Sequence, residues 1–306
     1  MKFMDPRIDF AFKKIFGSED AQDILISFLE SLMNLEGDKR IKEITLLNPT
    51  LAPRIDGMKE SVLDVRCIDH RGVTYIVEMQ IRKVRAFLKR IQYNAAKAYV
   101  NQIASAEDYP KLNQVIAVTI TDFTLFDDIS GYVSHHQTVE TSSGQPLLRE
   151  IVYYFIELSK FNKSSDSLST MLDKWIHFIK SAGIMEEIPS CLNESPIRHA
   201  FEKALVANMS RKELEYYDKA GMAIADARGA IELALEEGEQ KGLRKGLQKG
   251  RREGEVRVLR QLLLQKFGPN LSVVIEEKLN NASREEIGTW TNTILNARSL
   301  DDIFHE

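Results

Sequence analysis

Asp64, Glu78 and Gln80 carry the strongest chemical signal in the chain, because they sit in two β-rich runs, residues 61–68 and 73–81, that face each other across a turn. Side chains alternate along a strand, so Glu78 and Gln80 share one face. Between the runs, Asp69-His70-Arg71-Gly72 reads as a hairpin turn. A three-residue loop, His70-Arg71-Gly72 with Gly72 left-handed, pairs Asp69 with Val73 and, counting back, places Asp64 opposite Glu78. Like charges facing each other in a hairpin repel, and a partly buried pair either shifts a pKa or recruits a cation. A hard divalent ion suits such a pair, since Mg²⁺ takes oxygen ligands, keeps several waters and binds phosphate oxygens. Spacing alone leaves open two solvated carboxylates on an exposed strand face.

The segment that follows adds positive charge. No acidic residue occurs between Glu78 and Glu107, whereas Arg82, Lys83, Arg85, Lys89, Arg90 and Lys97 fall there, in a chain whose 41 Lys and Arg against 45 Asp and Glu leave a net −4. Read as one helix over residues 82–103, this segment aligns Arg82, Arg85 and Lys89 in one stripe and Arg90, Tyr93 and Lys97 in another. An acidic pair followed by a basic helix points to phosphodiester chemistry, with the cations on the phosphate backbone. A solvated helix face is the plainer alternative.

The elements that must position these groups are legible as period. Residues 9–16 read as a helix with Asp9 as N-cap and Phe10, Phe12, Ile15 and Phe16 apolar. Ile24, Leu25, Phe28, Leu29 and Leu32 follow at helical spacing until Gly37. Residues 41–47 suggest a short strand and Pro49 and Pro53 a connection; residues 114–120 and 150–158 are compact apolar runs fit for buried strands. The order helix, strand, hairpin, long helix, strand predicts an α/β fold with a mixed sheet flanked by helices. Past Asn162 the chain reads as helical, and Ser210 with Glu213 forms a capping box opening a very long helix.

Gly238, Gly242, Gly246, Gly250 and Gly254 then recur every fourth residue among charged residues, Leu243 and Leu247. In a helix interior each costs about 1 kcal/mol relative to Ala, about 4 to 5 in all, and close approach of a second helix would offset that. Homo-oligomerisation through this ladder is the expectation, with a fraying linker as the alternative. A small all-α tail follows: residues 256–267, stopped by Gly268-Pro269; residues 271–279; and a third helix opened by Ser283 and Glu286. The expected divisions are 1–225, 226–255 and 256–306, and so short a tail is expected to lean on a partner.

The stretch Asp9-Phe10-Ala11-Phe12-Lys13-Lys14-Ile15-Phe16, the pair Leu63-Asp64-Val65 and Glu78-Met79-Gln80, Arg90-Ile91-Gln92-Tyr93, and Ile156-Glu157-Leu158-Ser159-Lys160-Phe161 together resemble the recombination-promoting nuclease and transposase branch of the PD-(D/E)XK nucleases over about residues 1–225. The tail from about Val256 is similar to the DUF4351-like helical domain often appended to it. The resemblance implies a restriction-endonuclease-like core and magnesium-dependent DNA endonuclease activity, acting in recombination, on mobile elements or in phage defence. It matches Asp64 and Glu78 to the metal ligands and places Gln80 where the wider superfamily has lysine. Glutamine does not titrate; it can orient a water or coordinate metal but cannot be a general base. Asp9, Lys13, Glu157 and Lys160 also match; a helix N-cap for Asp9, a surface lysine at Lys13 and an ion pair at a strand end for Glu157 and Lys160 are the structural alternatives. The candidate site is therefore Asp64, Glu78 and Gln80, with Mg²⁺ on the two carboxylates, Asp9 as a possible addition, and Arg82, Arg85, Lys89, Arg90, Tyr93 and Lys13 on DNA. An oligomeric DNA-binding or regulatory protein that keeps the fold without turnover is the competing class.

Composition excludes other classes. With 306 residues, 43% hydrophobic and 28% charged, the chain is of ordinary globular type. Cys67 and Cys191 are far apart and form no CxxC, which supports neither a zinc site nor a disulfide scaffold and fits a reducing cytoplasm. No run approaches the ~18 apolar residues of a membrane span. Neither GxxxxGK[ST], GxSxG nor HExxH occurs, and His135-His136 lacks ligand spacing.

Overall fold

A computed structural model describes residues 1–51, 60–104 and 107–304; the connection at Pro53 lies outside them. Contacts divide the chain into Met1–Ala223 and Ile224–Glu306.

The first unit opens with α1 (Asp9–Phe16) and α2 (Gln22–Met33). Ile8, not Asp9, is the N-cap of α1; Asp9 is its first residue, and its carboxylate reaches forward to Lys13 instead of back to the helix N–H groups. Helix α2 ends four residues before Gly37, because Asn34 adopts φ +50° and its N–H closes on the Glu30 carbonyl. Next come β1 (Ile44–Leu46), the two-residue ribbon β2 (Thr50–Leu51) and β3 (Ser61–Val62), then β4 (Val65–Asp69) and β5 (Thr74–Gln80). The run expected at 61–68 is thus broken at Leu63 and Asp64.

Gly72 turns the hairpin at φ +84°, and a Cβ there would also meet the Asn113 side chain at 2.8 Å. Asp69 N–H donates to the Val73 carbonyl at 3.0 Å, and Val65 faces Val77, the register expected from the turn.

Helix α3 (Phe87–Val100) crosses over to β6 (Val115–Thr121), which lies parallel to β5; β7 (Val133–His136) and β8 (Ile151–Glu157) complete a six-stranded sheet in the order β1-β4-β5-β6-β8-β7. The mixed character is real: β5, β6 and β8 run parallel, and the β1–β4, β4–β5 and β7–β8 pairs are antiparallel. Edge strand β7 had no sequence signature, since none of its four residues is buried.

Six of seven β5 residues and all of β6 are buried, which explains the apolar runs Tyr75–Val77 and Val115–Val118 in the two strands. On one sheet face Phe87, Ile91, Ala95 and Ala98 of α3 pack with Ile76, Ala117 and Phe155. A second core joins α1 and α2 with α4 (Met171–Ser181) and α5 (Ser195–Ala204). It is aromatic: Phe16 meets Phe28 at 5.6 Å and Trp175 at 5.9 Å, and Phe178 meets Phe201 at 4.8 Å. Glu157 and Lys160 form the ion pair that the structural alternative describes. Lys160 pairs with Glu157 at 2.8 Å and donates to two loop carbonyls, while Glu157 accepts from the Leu125 and Phe126 N–H groups.

Helix α6 (Arg211–Phe267) starts in this unit at the expected Ser210–Glu213 box and continues into the second, absorbing the helix expected at 256–267. Residues 228–250 are exposed throughout, and a Cβ built on any of the five ladder glycines meets nothing within 4 Å. In the second unit α7 (Val273–Asn281), α8 (Arg284–Thr293) and α9 (Asp301–Phe304) close a small core with Leu259 and Leu263; Ser283 and Glu286 make both bonds of their box. Among the described residues no helix is long and apolar enough to cross a membrane.

Candidate active site

Asp64 occupies the break before β4. Extending the β4–β5 register by one residue sets it opposite Glu78. The strand ends there because the Asp64 side chain takes over a ladder bond: Oδ2 accepts from the Met79 N–H at 2.8 Å. Glu78 projects from the sheet face that α3 covers. Asn94, buried on that helix, donates to Glu78 Oε1 at 3.2 Å. Both acids are shielded, with 14% of the Asp64 side chain and 6% of Glu78 exposed.

Burial of two anions in one place is costly, and the titration of both groups reflects it. Burial pushes the Asp64 carboxyl up to about 7; the Met79 N–H and Lys13 oppose the shift, while Asp9 and Glu78 reinforce it. Burial also raises Glu78, against the pull of Arg90, Asn94 and Lys13. The surrounding cations therefore undercompensate the pair, and a hard divalent cation would supply the missing charge. Among the described residues no group of three or more His, Cys, Asp or Glu could hold a metal, so an ion bound by Asp64 and Glu78 would take its remaining ligands from water or substrate oxygens. That set fits Mg²⁺, which keeps much of its hydration.

The pair faces a cleft of about 730 Å³ whose lining also includes Gln80, Arg85, Lys89, Arg90, Tyr93 and Asn94. Arg90 Nη2 donates to Gln80 Oε1 at 2.7 Å. Because a guanidinium can only donate, the Gln80 oxygen must face Arg90, and its amide N–H groups remain for other acceptors. From α1, Lys13 Nζ lies 2.7 Å from Asp9 Oδ1 and 3.5 Å from Asp64 Oδ1. Asp9, 63% exposed, thus reaches the site through Lys13.

The basic stripe is built differently from expectation. Helix α3 begins at Phe87, after Ala86 at φ +61°, so Arg82 and Arg85 lie on the preceding connection and share no helical stripe with Lys89. A left-handed alanine is strained, and nothing in its residue type announces it. Arg85, Lys89 and Arg90 are exposed at the cleft and Arg82 lies outside its lining, while Lys97 donates to the Leu51 carbonyl at 2.7 Å. Asn94 was missed; its one signal is a polar side chain among Phe87, Ile91, Ala95 and Ala98 on the buried stripe.

If Arg85 and Lys89 track phosphates, replacing both by alanine will flatten the plot of log K against log salt by about 2 and weaken all DNA sequences alike. An unchanged slope in a filter-binding series would remove both from the DNA surface.

The family described as PD-(D/E)XK nuclease family transposase matches residues 6–234, which include every one of these side chains and leave the tail outside. No curated protein and no protein of solved structure matches the chain.

Proposed function

Given that the chain belongs to the PD-(D/E)XK nuclease family transposases, we propose that it is a magnesium-dependent DNA endonuclease of the cytoplasm, acting in recombination or on mobile or invading DNA. One observation carries this reading: buried Glu78 and half-buried Asp64, each held by a separate hydrogen bond, converge on one cleft with too little positive charge around them.

When bound, a divalent ion supplies Lewis acidity and an activated water. The chain's own residues do the positioning. The Met79 N–H and Asn94 fix one oxygen of each carboxylate. Gln80, turned by Arg90, offers its amide N–H to the attacking water or to a non-bridging phosphate oxygen. It takes no proton, so the proton of the attacking water leaves to solvent. Arg85, Lys89, Arg90 and Tyr93 line the path of the backbone, and Lys13 carries positive charge to the Asp64 side of the cleft.

Nicking of supercoiled plasmid with and without Mg²⁺, run beside Asp64→Ala, tests the assignment. Relaxation only with metal and intact carboxylates supports it. DNA binding without cutting in either protein would favour the regulatory alternative.

The exposed glycine ladder supports a homo-oligomer through α6 and the tail. Five unpaid glycines in a solvated helix are offset when a second helix approaches the bare backbone. A chain ending before Glu236 should sediment as a smaller species than the full chain, and retention of the full-length assembly state would rule the ladder out.

A further inference from the structure

Beside the carboxylate cleft lies a second one of about 470 Å³, between α1 and the first turns of α6; Phe10, Tyr216 and Ala220 line it with the ion pairs Lys13–Asp9 and Lys14–Glu213. We propose that this cleft receives an unpaired nucleotide next to the scissile phosphate, so that the preferred substrate is a single strand, flap or frayed end over an intact duplex. The proposal rests on the nuclease reading for the position of that phosphate.

Lys13 stands on the divide, lining this cleft while its ammonium lies 3.5 Å from Asp64 Oδ1. A strand whose phosphate reaches Asp64 and Glu78 therefore has this cleft as a neighbour. The cleft walls suit a base. Tyr216 is 55% exposed, with Lys212 Nζ 6.0 Å from its ring centroid, Phe10 is half-buried, and Ala220 adds a small side chain to the lining. Aromatic side chains accept any base by stacking, and lysines beside them take the phosphates.

The platform is also held still. One turn of α6 is tied down on both sides of Tyr216: Glu213 accepts from Lys14 at 2.5 Å, and the Tyr217 hydroxyl accepts from the Asp5 N–H at 2.8 Å. Those bonds explain the anchoring of the helix without calling on the Tyr216 ring, which spends more than half its surface on solvent. A paired base would have to leave its stack to enter, at a cost an unpaired one avoids.

Single-turnover cleavage of a forked and a fully paired oligonucleotide of one sequence, with Mg²⁺, reads the preference directly. The wild-type chain should cut the fork faster; Tyr216→Ala should lose about 10-fold on the fork and little on the duplex, with Tyr216→Trp restoring the difference. Equal rates on both substrates in the wild type, or equal losses on both in Tyr216→Ala, would overturn the proposal. Should neither substrate be cut, the nuclease reading fails on its own account. Fluorescence of a single-stranded oligonucleotide carrying 2-aminopurine then decides the cleft: quenching by the wild type and about 10-fold weaker binding by Tyr216→Ala support it, and equal binding overturns it.

Discussion

Replacing Asp64 by alanine is expected to lower Mg²⁺-dependent plasmid cleavage by about 10³-fold or more, and Glu78→Ala by a similar factor. A metal positioned at a reacting phosphate contributes several kcal/mol of charge stabilisation, and each ~1.4 kcal/mol is tenfold in rate. Neither loss should be shared by the outer cations, because Arg85 and Lys89 act on binding and salt dependence. The double variant Asp64→Ala/Glu78→Ala should be little worse than either single one, since two ligands of one ion fail as a unit. Additive losses measured by initial nicking rates would instead show that the carboxylates work separately.

Asp64→Asn is expected to make the folded protein more stable, and increasingly so with rising pH. The carboxyl is pushed up to about 7 in the folded chain, whereas an unfolded chain releases the same proton near ~3.9. Between those values the folded state holds a proton that the unfolded state has lost, so stability declines as pH rises from about 4 to 7 and the full penalty persists above 7. Asparagine does not titrate, and its side-chain oxygen can still accept from the Met79 N–H. The gain over the wild type should be small at pH 4 and reach, at most, about 4 kcal/mol at pH 8. Urea unfolding across that range reads it directly. A variant less stable than the wild type at pH 8 would mean that Lys13 and the Met79 N–H compensate the carboxylate in full. Function would then not be held against a stability cost, the usual tension at a charged site.

Much of the site was legible because a hairpin is local. Gly72 sets the turn, the turn sets the pairing of Asp69 with Val73, and counting along the period of two brings Asp64 to Glu78. Buried β5 and β6 were visible as short apolar runs because both their faces are covered. The capping boxes at Ser210 and Ser283 were visible as residue pairs three apart.

The details that depend on distant chain were not. The break at Leu63 and Asp64 arises from a side chain taking a backbone bond of another strand. The late start of α3 arises from Ala86 in a conformation its type disfavours, and this moved Arg82 and Arg85 off the helix. Lys13 reads as a surface lysine until the fold carries α1 to Asp64, 51 positions along the chain. Asn94 reads as an imperfection in an apolar stripe until Glu78 is set beside it. Tertiary placement, more than local propensity, set Asp64, Arg85 and Asn94 on one cleft and brought Lys13 to Asp64.

Calorimetric titration of the DNA-free protein with Mn²⁺ or Mg²⁺ tests the shared ion most directly. The account predicts one saturable divalent site per chain, weakened by about tenfold or more in both Asp64→Asn and Glu78→Gln. Equal affinity in the wild type and both variants, or no binding to the wild type in the presence or absence of DNA, would contradict it.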